Sequence, residues 1–359
     1  MSTGTHMNSA RYAMAPARRS RSLAPAAPAD IRGLSLVELM VAMLIGMVVI
    51  ASASAIFISN RQTYRATESM GRVQESGRIA FELMARDVRE AGGNPCGKDL
   101  PMANVINGAA ATWWSNWANG IVGYDGAQAA AGLATGTAAG QRIAGTDAIE
   151  LKSGDNASGV TVVDHNPTSA EFHLNTANHT LDDNDIVMVC DFRQATIMQV
   201  TNASPGTNSN VVHNPGGGFS PGNCSKGLGF PTDCGSVNGT RYQYDANSMI
   251  VRLHAVRWYI GSDGNGGRSL FRAQLTNNGA AVVVTPQEIA TGVRDMRLQY
   301  LTRDAANYRD AVAIGANEWR DVTAVRIALD LQGEDRIGTD GQGLQRALSH
   351  TVMLRNRMP

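Results

Sequence analysis

The sequence predicts an α+β protein. One long N-terminal helix, apolar in its first half and amphipathic in its second, packs on an antiparallel β-rich C-terminal domain. Three observations predict it. An uncharged apolar run follows a basic N-terminal stretch. An apolar repeat at spacings of three and four continues directly from that run. Beyond Cys96 the pattern changes to short β-like runs cut by Gly, Asn, Asp and Pro. The 359 residues are 43% hydrophobic, which is enough for a core and excludes disorder throughout. Only 17% are charged, 38 are glycine, and 31 basic residues balance 31 acidic ones. That balance argues against a nucleic-acid binder acting through bulk basicity.

Residues 1–33 form a basic leader. They carry Arg11, Arg18, Arg19, Arg21 and Arg32 against Asp30 alone, with no apolar periodicity. Without them the chain has 26 basic and 30 acidic residues, so neutrality belongs to the whole and not to its larger part. Between Glu38 and Arg61 no charge occurs, a length that crosses a hydrocarbon core of ~30 Å as a helix. The predicted span is about 39–60. Its basic flank comes first, which places the N-terminus in the cytoplasm and the rest beyond the inner membrane, in the periplasm. A signal peptide reads the same run as an apolar core over 39–50 and a cleavage site among Ala51, Ala53 and Ala55. The chain is then an anchored or secreted periplasmic enzyme. Glu38 separates the readings. A carboxylate at the start of such a run costs about 2.5–3.5 kcal/mol if carried to the bilayer centre, and a plain anchor has no use for it.

Arg32-Gly33 followed by Leu34-Ser35-Leu36-Val37-Glu38 resembles the leader of type IV pilins and pseudopilins. The resemblance implies that prepilin peptidase cuts after Gly33 and methylates the new amino terminus of Leu34. It also implies that Glu38 pairs with the amino terminus of a neighbouring subunit in the filament. The charge logic is sound, because a carboxylate in an apolar bundle needs a cationic partner. Leu34 stands where the family has phenylalanine most often.

Residues 61–91 continue the helix, so that 34–93 form one segment. Met70, Val73, Gly77, Ala80, Met84, Val88 and Ala91 make an apolar face. Glu75/Arg78, Arg78/Glu82 and Glu82/Arg86 are candidate pairs on the other face. Gly92-Gly93-Asn94-Pro95 is a stop. The stretch from Gly77 to Gly93, ending at Cys96, is similar to the same region of PilW-type minor pilins. So are Glu318 to Leu329 and Thr351 to Arg357. The resemblance implies a structural role in pilus assembly, in a priming or tip complex. Its partners are prepilin peptidase, other minor pilins, the major pilin and a tip adhesin. A J-type pseudopilin of a type II secretion system has the same leader and helix and remains the rival reading.

Residues 94–359 form the β-rich domain. Strands are predicted over 147–152, 160–164, 185–192 and 196–201. A hairpin is predicted from Met249–Ile260 and Arg268–Leu275 around a glycine-rich loop. Val293–Leu301 and the run Val325, Ile327, Leu329, Leu331 alternate like half-buried antiparallel strands. Residues 103–145 are expected to be an irregular insertion in which Trp113, Trp114 and Trp117 pack locally. Cys96, Cys190, Cys224 and Cys234 lie beyond the span, and four cysteines in an oxidising compartment read as two disulfides with three possible connectivities. The short loop between Cys224 and Cys234 favours that pair, which leaves Cys96 with Cys190.

Other chemistry finds little support. Gly218-Phe219-Ser220-Pro221-Gly222 fits G-x-S-x-G, but the residue after the serine must give an N–H to an oxyanion hole, and proline has none. His165, His173 and His179 share a β region without metal-ligand spacing. The acidic turns at Asp182-Asp183-Asn184-Asp185 and Asp263-Gly264-Asn265-Gly266 lack the ligand set of an EF-hand. No catalytic residue, metal, cofactor or nucleic acid is expected.

Overall fold

The computed structural model describes Gly33 and residues 35–117, 120–155, 159–333 and 342–357. Residues 1–32 of the expected leader and Leu34 lie outside the described residues. Helix α1 runs over Leu36–Glu90. By its contacts the chain divides into two units, one up to Ser59 and one from Asn60 onward. Within the first unit the helix is an exposed apolar rod.

In the second unit α1 buries Ser69, Gly77, Ala80, Met84, Ala85, Asp87 and Val88. The face follows the predicted repeat, with Ser69, Ala85 and Asp87 added to it and Met70 and Val73 only half-buried. Ion pairs Arg72–Glu68, Arg78–Glu82 and Arg86–Glu90, at 3.5, 3.2 and 3.3 Å, line the solvent side. Arg86 thus turns to Glu90 where the sequence suggested Glu82. Gly92 ends the helix in the left-handed region (φ 71), and its N–H donates to the Lys152 carbonyl at 2.8 Å.

The strands in chain order begin with β1 (Met102–Asn104), β2 (Ile121–Tyr124), β3 (Ala148–Asp155), β4 (Val162–Asn166), β5 (Glu171–Leu174), β6 (Ile186–Cys190), β7 (Ala195–Gln199), β8 (Asn202–Ala203) and β9 (Asn210–Val212). They continue with β10 (Met249–Ser262), β11 (Arg268–Asn277), β12 (Val282–Thr291), β13 (Val293–Thr302), β14 (Arg309–Asp310), β15 (Val322–Gln332) and β16 (Gln345–Met353). The largest sheet is organised by β10. Arg252 of β10 pairs with both β3 and β6, and Val256 with both β3 and β11. Hence β3 covers one edge of β10, while β6 and β11 share the other. The β1–β7 pair is parallel, an exception in an otherwise antiparallel framework. A second sheet has the order β14-β13-β15-β16, and a third β4-β5-β9-β8.

One core joins α1, β10, β11, β13 and β15. Ala80, Met84, Ala85 and Val88 meet Trp258, Ile260, Met296, Leu298, Tyr300, Val325, Ile327 and Leu329. The small residues of α1 let the second sheet come close. A Cβ on Gly77 would stand 2.5 and 2.8 Å from the methyls of Leu331 and Leu348, and the ring of Phe81 lies 4.1 Å from that of His350. A second core, with Phe172, Val187, Val189, Met198, Val211, Tyr244 and Ile250, fills the space between the third sheet and the β6–β7 side of the first. Trp113 and Trp114 are buried in a third cluster.

Gly120 locks the helix end. It has φ 69, its carbonyl accepts from Lys152, and a Cβ there would stand 2.5 Å from Gly92 Cα. Backbone cannot yield as a side-chain tip can, so Gly120→Ala combines a left-handed penalty with overpacking. The expected cost is about 2–4 kcal/mol, read as a lower melting temperature of the detergent-purified chain. A melting temperature equal to that of the parent would contradict this packing.

Candidate assembly site

The start of α1 brings two residues together. Ser35 Oγ accepts a hydrogen bond from the Glu38 N–H at 3.1 Å. Ser35 is therefore the N-cap, and Ser35-Leu36-Val37-Glu38 is a capping box by sequence. The S-x-x-E spacing carries this signal in the sequence, where the reading above took Glu38 only as a charge. The carboxylate stands at the positive end of the helix dipole, a favourable place for it. Beyond it, Met40, Leu44, Met47, Ile50 and Phe57 are 63, 67, 72, 68 and 66% exposed. This helix is long and apolar enough to cross a membrane, and none of that stretch is buried within the chain. No atom lies within 4 Å of a Cβ built on Gly46, so a neighbouring helix has room to approach there. At this end the chain therefore presents an apolar surface with a single carboxylate at its rim.

The other half of the helix is fixed by Asp87. Its Oδ2 accepts from Trp258 Nε1 and from Arg272 Nε, both at 2.8 Å, and its Oδ1 from Arg272 Nη2 at 3.1 Å. His254 Nε2 lies 3.5 Å away. Burial pushes the Asp87 carboxyl up, but the hydrogen bonds from His254, Arg272 and Trp258 and the Arg272 charge together outweigh it and hold the group below its ordinary value. All three partners belong to β10 and β11. Asp87 thus fixes both the rotation and the height of the helix against the largest sheet. The sequence reading quoted Asp87 only as part of a resemblance. An acid on an apolar helix face, three residues after Met84 and one before Val88, is the signal that points to it.

The structure bonds Cys96 to Cys190 and Cys224 to Cys234. The first bond joins the chain just past the helix to the last residue of β6. Ser220 lies in a loop, where its carbonyl accepts from Gln199. The acidic turns use their carboxylates internally. Asp182 and Asp185 pair with Arg252, Asp183 accepts from the Ala203 N–H, and Asp263 from those of Asn265 and Gly267. Among the described residues no group of three or more His, Cys, Asp or Glu is placed to hold a metal ion.

A buried histidine pair escaped the sequence reading, because His213 is distant in sequence from His165. Their Nε2 atoms lie 3.3 Å apart. Tyr244 donates its N–H to His165 Nδ1, so neutral His165 carries its proton on Nε2 and donates to His213. Burial lowers the pKa of His165 to about 4 and that of His213 to about 3, the latter helped by the nearby His165. Both side chains are fully buried, so the pair serves the second core.

An apolar helix long enough to cross a membrane, opening on a capped carboxylate and followed in the chain by a β-rich domain, is the arrangement expected of a pilin-like subunit. Residues 29–54 match the prokaryotic N-terminal methylation motif, and residues 257–352 match the type IV pilus-assembly protein W family. The two matches are those of a PilW-type minor pilin. The second covers about a quarter of the chain, and it takes in Trp258 and Arg272, which hold Asp87. No curated protein and no solved structure matches the chain.

Two outcomes test this arrangement. Asp87→Ala leaves Arg272 without its buried acceptor and is expected to cost about 3–5 kcal/mol. Urea unfolding of the detergent-solubilised chain reads it, and a loss under 1 kcal/mol would remove Asp87 from its role. The histidines are depressed below their unfolded pKa of about 6.5. They therefore take up protons on unfolding, and stability falls as pH drops from about 6.5 towards 4. In His213→Phe the dependence on pH over that interval is expected to weaken by about 1 kcal/mol per pH unit. An unchanged slope would mean that His213 titrates normally in the folded state.

Proposed function

We propose that this protein is made as a precursor in the inner membrane with its β domain in the periplasm. Prepilin peptidase cuts it after Gly33 and methylates Leu34, and the mature chain then enters a type IV pilus as a minor subunit. In this reading the role is structural. Lateral packing of the apolar helix supplies the association energy, at roughly 25 cal/mol per Å2 of apolar surface removed from water and through close packing where the surroundings are lipid. Glu38 sets the axial register by pairing with the amino terminus of an adjoining subunit. The β domain makes the contacts that distinguish this subunit from the others of a priming or tip complex, which includes other minor pilins, the major pilin and a tip adhesin.

The observation that carries the reading is the position of Glu38. It is capped by Ser35 at the first turn of an exposed apolar helix, inside the stretch that matches the methylation motif. Mass spectrometry of the protein isolated from its host tests the processing. N-methyl-Leu34 at the amino terminus is expected, and a mature chain beginning near Ala55 would overturn the pilin reading in favour of a cleaved signal peptide. Glu38→Ala is expected to be processed normally, to remain in the membrane and to be recovered at least tenfold less in sheared pili, the size of one lost charge pair. Incorporation at the parental level would end the pairing role. Loss of secretion with intact pili on deletion would favour the type II pseudopilin.

A further inference from the structure

Past the end of α1 lies a cavity of about 400 Å3. Lys98, Arg303, Arg320 and Arg357 line it together with Trp117 and Phe230, and Asp99 is the only carboxylate among the lining residues. Phe230 is 53% exposed. Part of this charge has an internal explanation. Cations near the end of a helix complement its dipole. Arg357 donates to the carbonyls of Trp319 and Val322, and Arg320 Nε donates to that of Asn317 at 3.2 Å. Arg303 has no such explanation: its side chain makes no hydrogen bond or ion pair among the described residues. It is also near enough to Arg357 to oppose it. Burial above all lowers the Arg357 pKa to about 10, and the Arg303 charge adds to this against the pull of Asp99 and Asp321. Arg303 is therefore a cation of this cavity that no side chain among the described residues pairs with, although the chain after Gly33 has more acids than bases.

Two chemical features describe what fits. A guanidinium binds a planar carboxylate through two parallel hydrogen bonds, and an idle guanidinium beside a half-buried one is arranged for that. Exposed aromatic rings beside arginines are the composition of the energetic centres of protein interfaces. A 400 Å3 cavity takes one or two side chains, not a polymer backbone tracked over many residues.

We propose that this cavity is a docking socket for a carboxylate-bearing, partly apolar segment of a neighbouring filament subunit. The acid enters between Arg303 and Arg320, and an apolar neighbour packs on Trp117 and Phe230. The identity of the partner as a filament subunit rests on the proposed pilus function; the chemistry of the socket does not.

Photo-cross-linking in the host tests both. A benzophenone analogue of phenylalanine is placed at position 230 in the full chain, with and without the double substitution Arg303→Glu and Arg320→Glu. The milder Arg303→Gln serves as a second variant, and oxidised disulfides and a parental melting temperature certify folding. The expected product joins position 230 to an Asp- or Glu-containing peptide of another pilus subunit. Its yield falls about tenfold in the double variant, the size of one lost charge pair, falls less in Arg303→Gln, and recovers when the mapped acid is changed to lysine. An undiminished yield in the folded double variant overturns the socket. So does a nuclease-sensitive adduct, or no adduct from a folded chain that is present in sheared pili. A charge-dependent adduct to an acidic segment of a protein outside the pilus keeps the socket and overturns the pilus reading.

Discussion

The second unit depends on one buried carboxylate. Asp87 lies on the face of α1 that is otherwise made of Gly77, Ala80, Met84, Ala85 and Val88. Small, smooth side chains of this kind pack closely but do not define a rotation or a height, because a helix can slide over them. A buried carboxylate is unforgiving of displacement. Away from its donors it keeps the full cost of desolvation, and against Trp258, Arg272 and His254 it does not. An ion pair of this kind contributes more to geometry than to net stability. With the helix held by Asp87, the methyls of Leu331 and Leu348 can meet Gly77, and Gly92 can lie against Gly120.

The long helix and the central strands were legible because their side chains repeat. The span, the amphipathic face and the Gly92 stop follow from hydrophobic spacing and backbone freedom. The runs Met249–Ile260 and Val293–Leu301 appear as strands extended by one or two residues at most. The missed strands have physical reasons to be obscure. β12 contains Pro286, which demotes a run in the middle of a sheet; it is tolerated here because β12 is an edge strand paired only with β11. β16 is exposed along most of both faces, so it shows no alternation. The capping box at Ser35 was present in plain spacing and was eclipsed by the charge of Glu38. The partners of Asp87, the pairing of His165 with His213, and the convergence of Arg303 with Arg357 join residues far apart in the chain. No local pattern announces them.

The irregular stretch before β3 shows how this domain manages backbone that no sheet satisfies. Arg142 is buried and donates to the carbonyls of Asp125, Gln128 and Thr146. Arg257, equally buried, bonds Glu150 at 2.5 Å, donates to the Ala131 carbonyl and lies over Trp113 at 4.3 Å. Two guanidinium groups thus do for this glycine- and alanine-rich segment what a ladder does for a strand. Lys152, 3.6 Å from Glu150 and buried with it, is held with its pKa lowered by burial first and by Arg257 after it, against the pull of Glu150. Glu150 serves both Arg257 and Lys152, the charges of Asp147 and Asp125 act on Arg142, and carbonyl oxygens share the rest.

The bond between Cys96 and Cys190 has a mechanical meaning. Cys96 comes six residues after the last residue of α1, and Cys190 closes β6, the neighbour of β10 in the largest sheet. Tension drawn along the helix is met first by the packed face of α1 and by Asp87, and whatever passes beyond Glu90 crosses a covalent link at Cys96 directly into that sheet. The intervening chain, a sequence separation of 94, is a closed loop in parallel with that link. It cannot be pulled out strand by strand while the link holds. Load that passes beyond the helix thus bypasses the closed loop, with the insertion before β3 inside it.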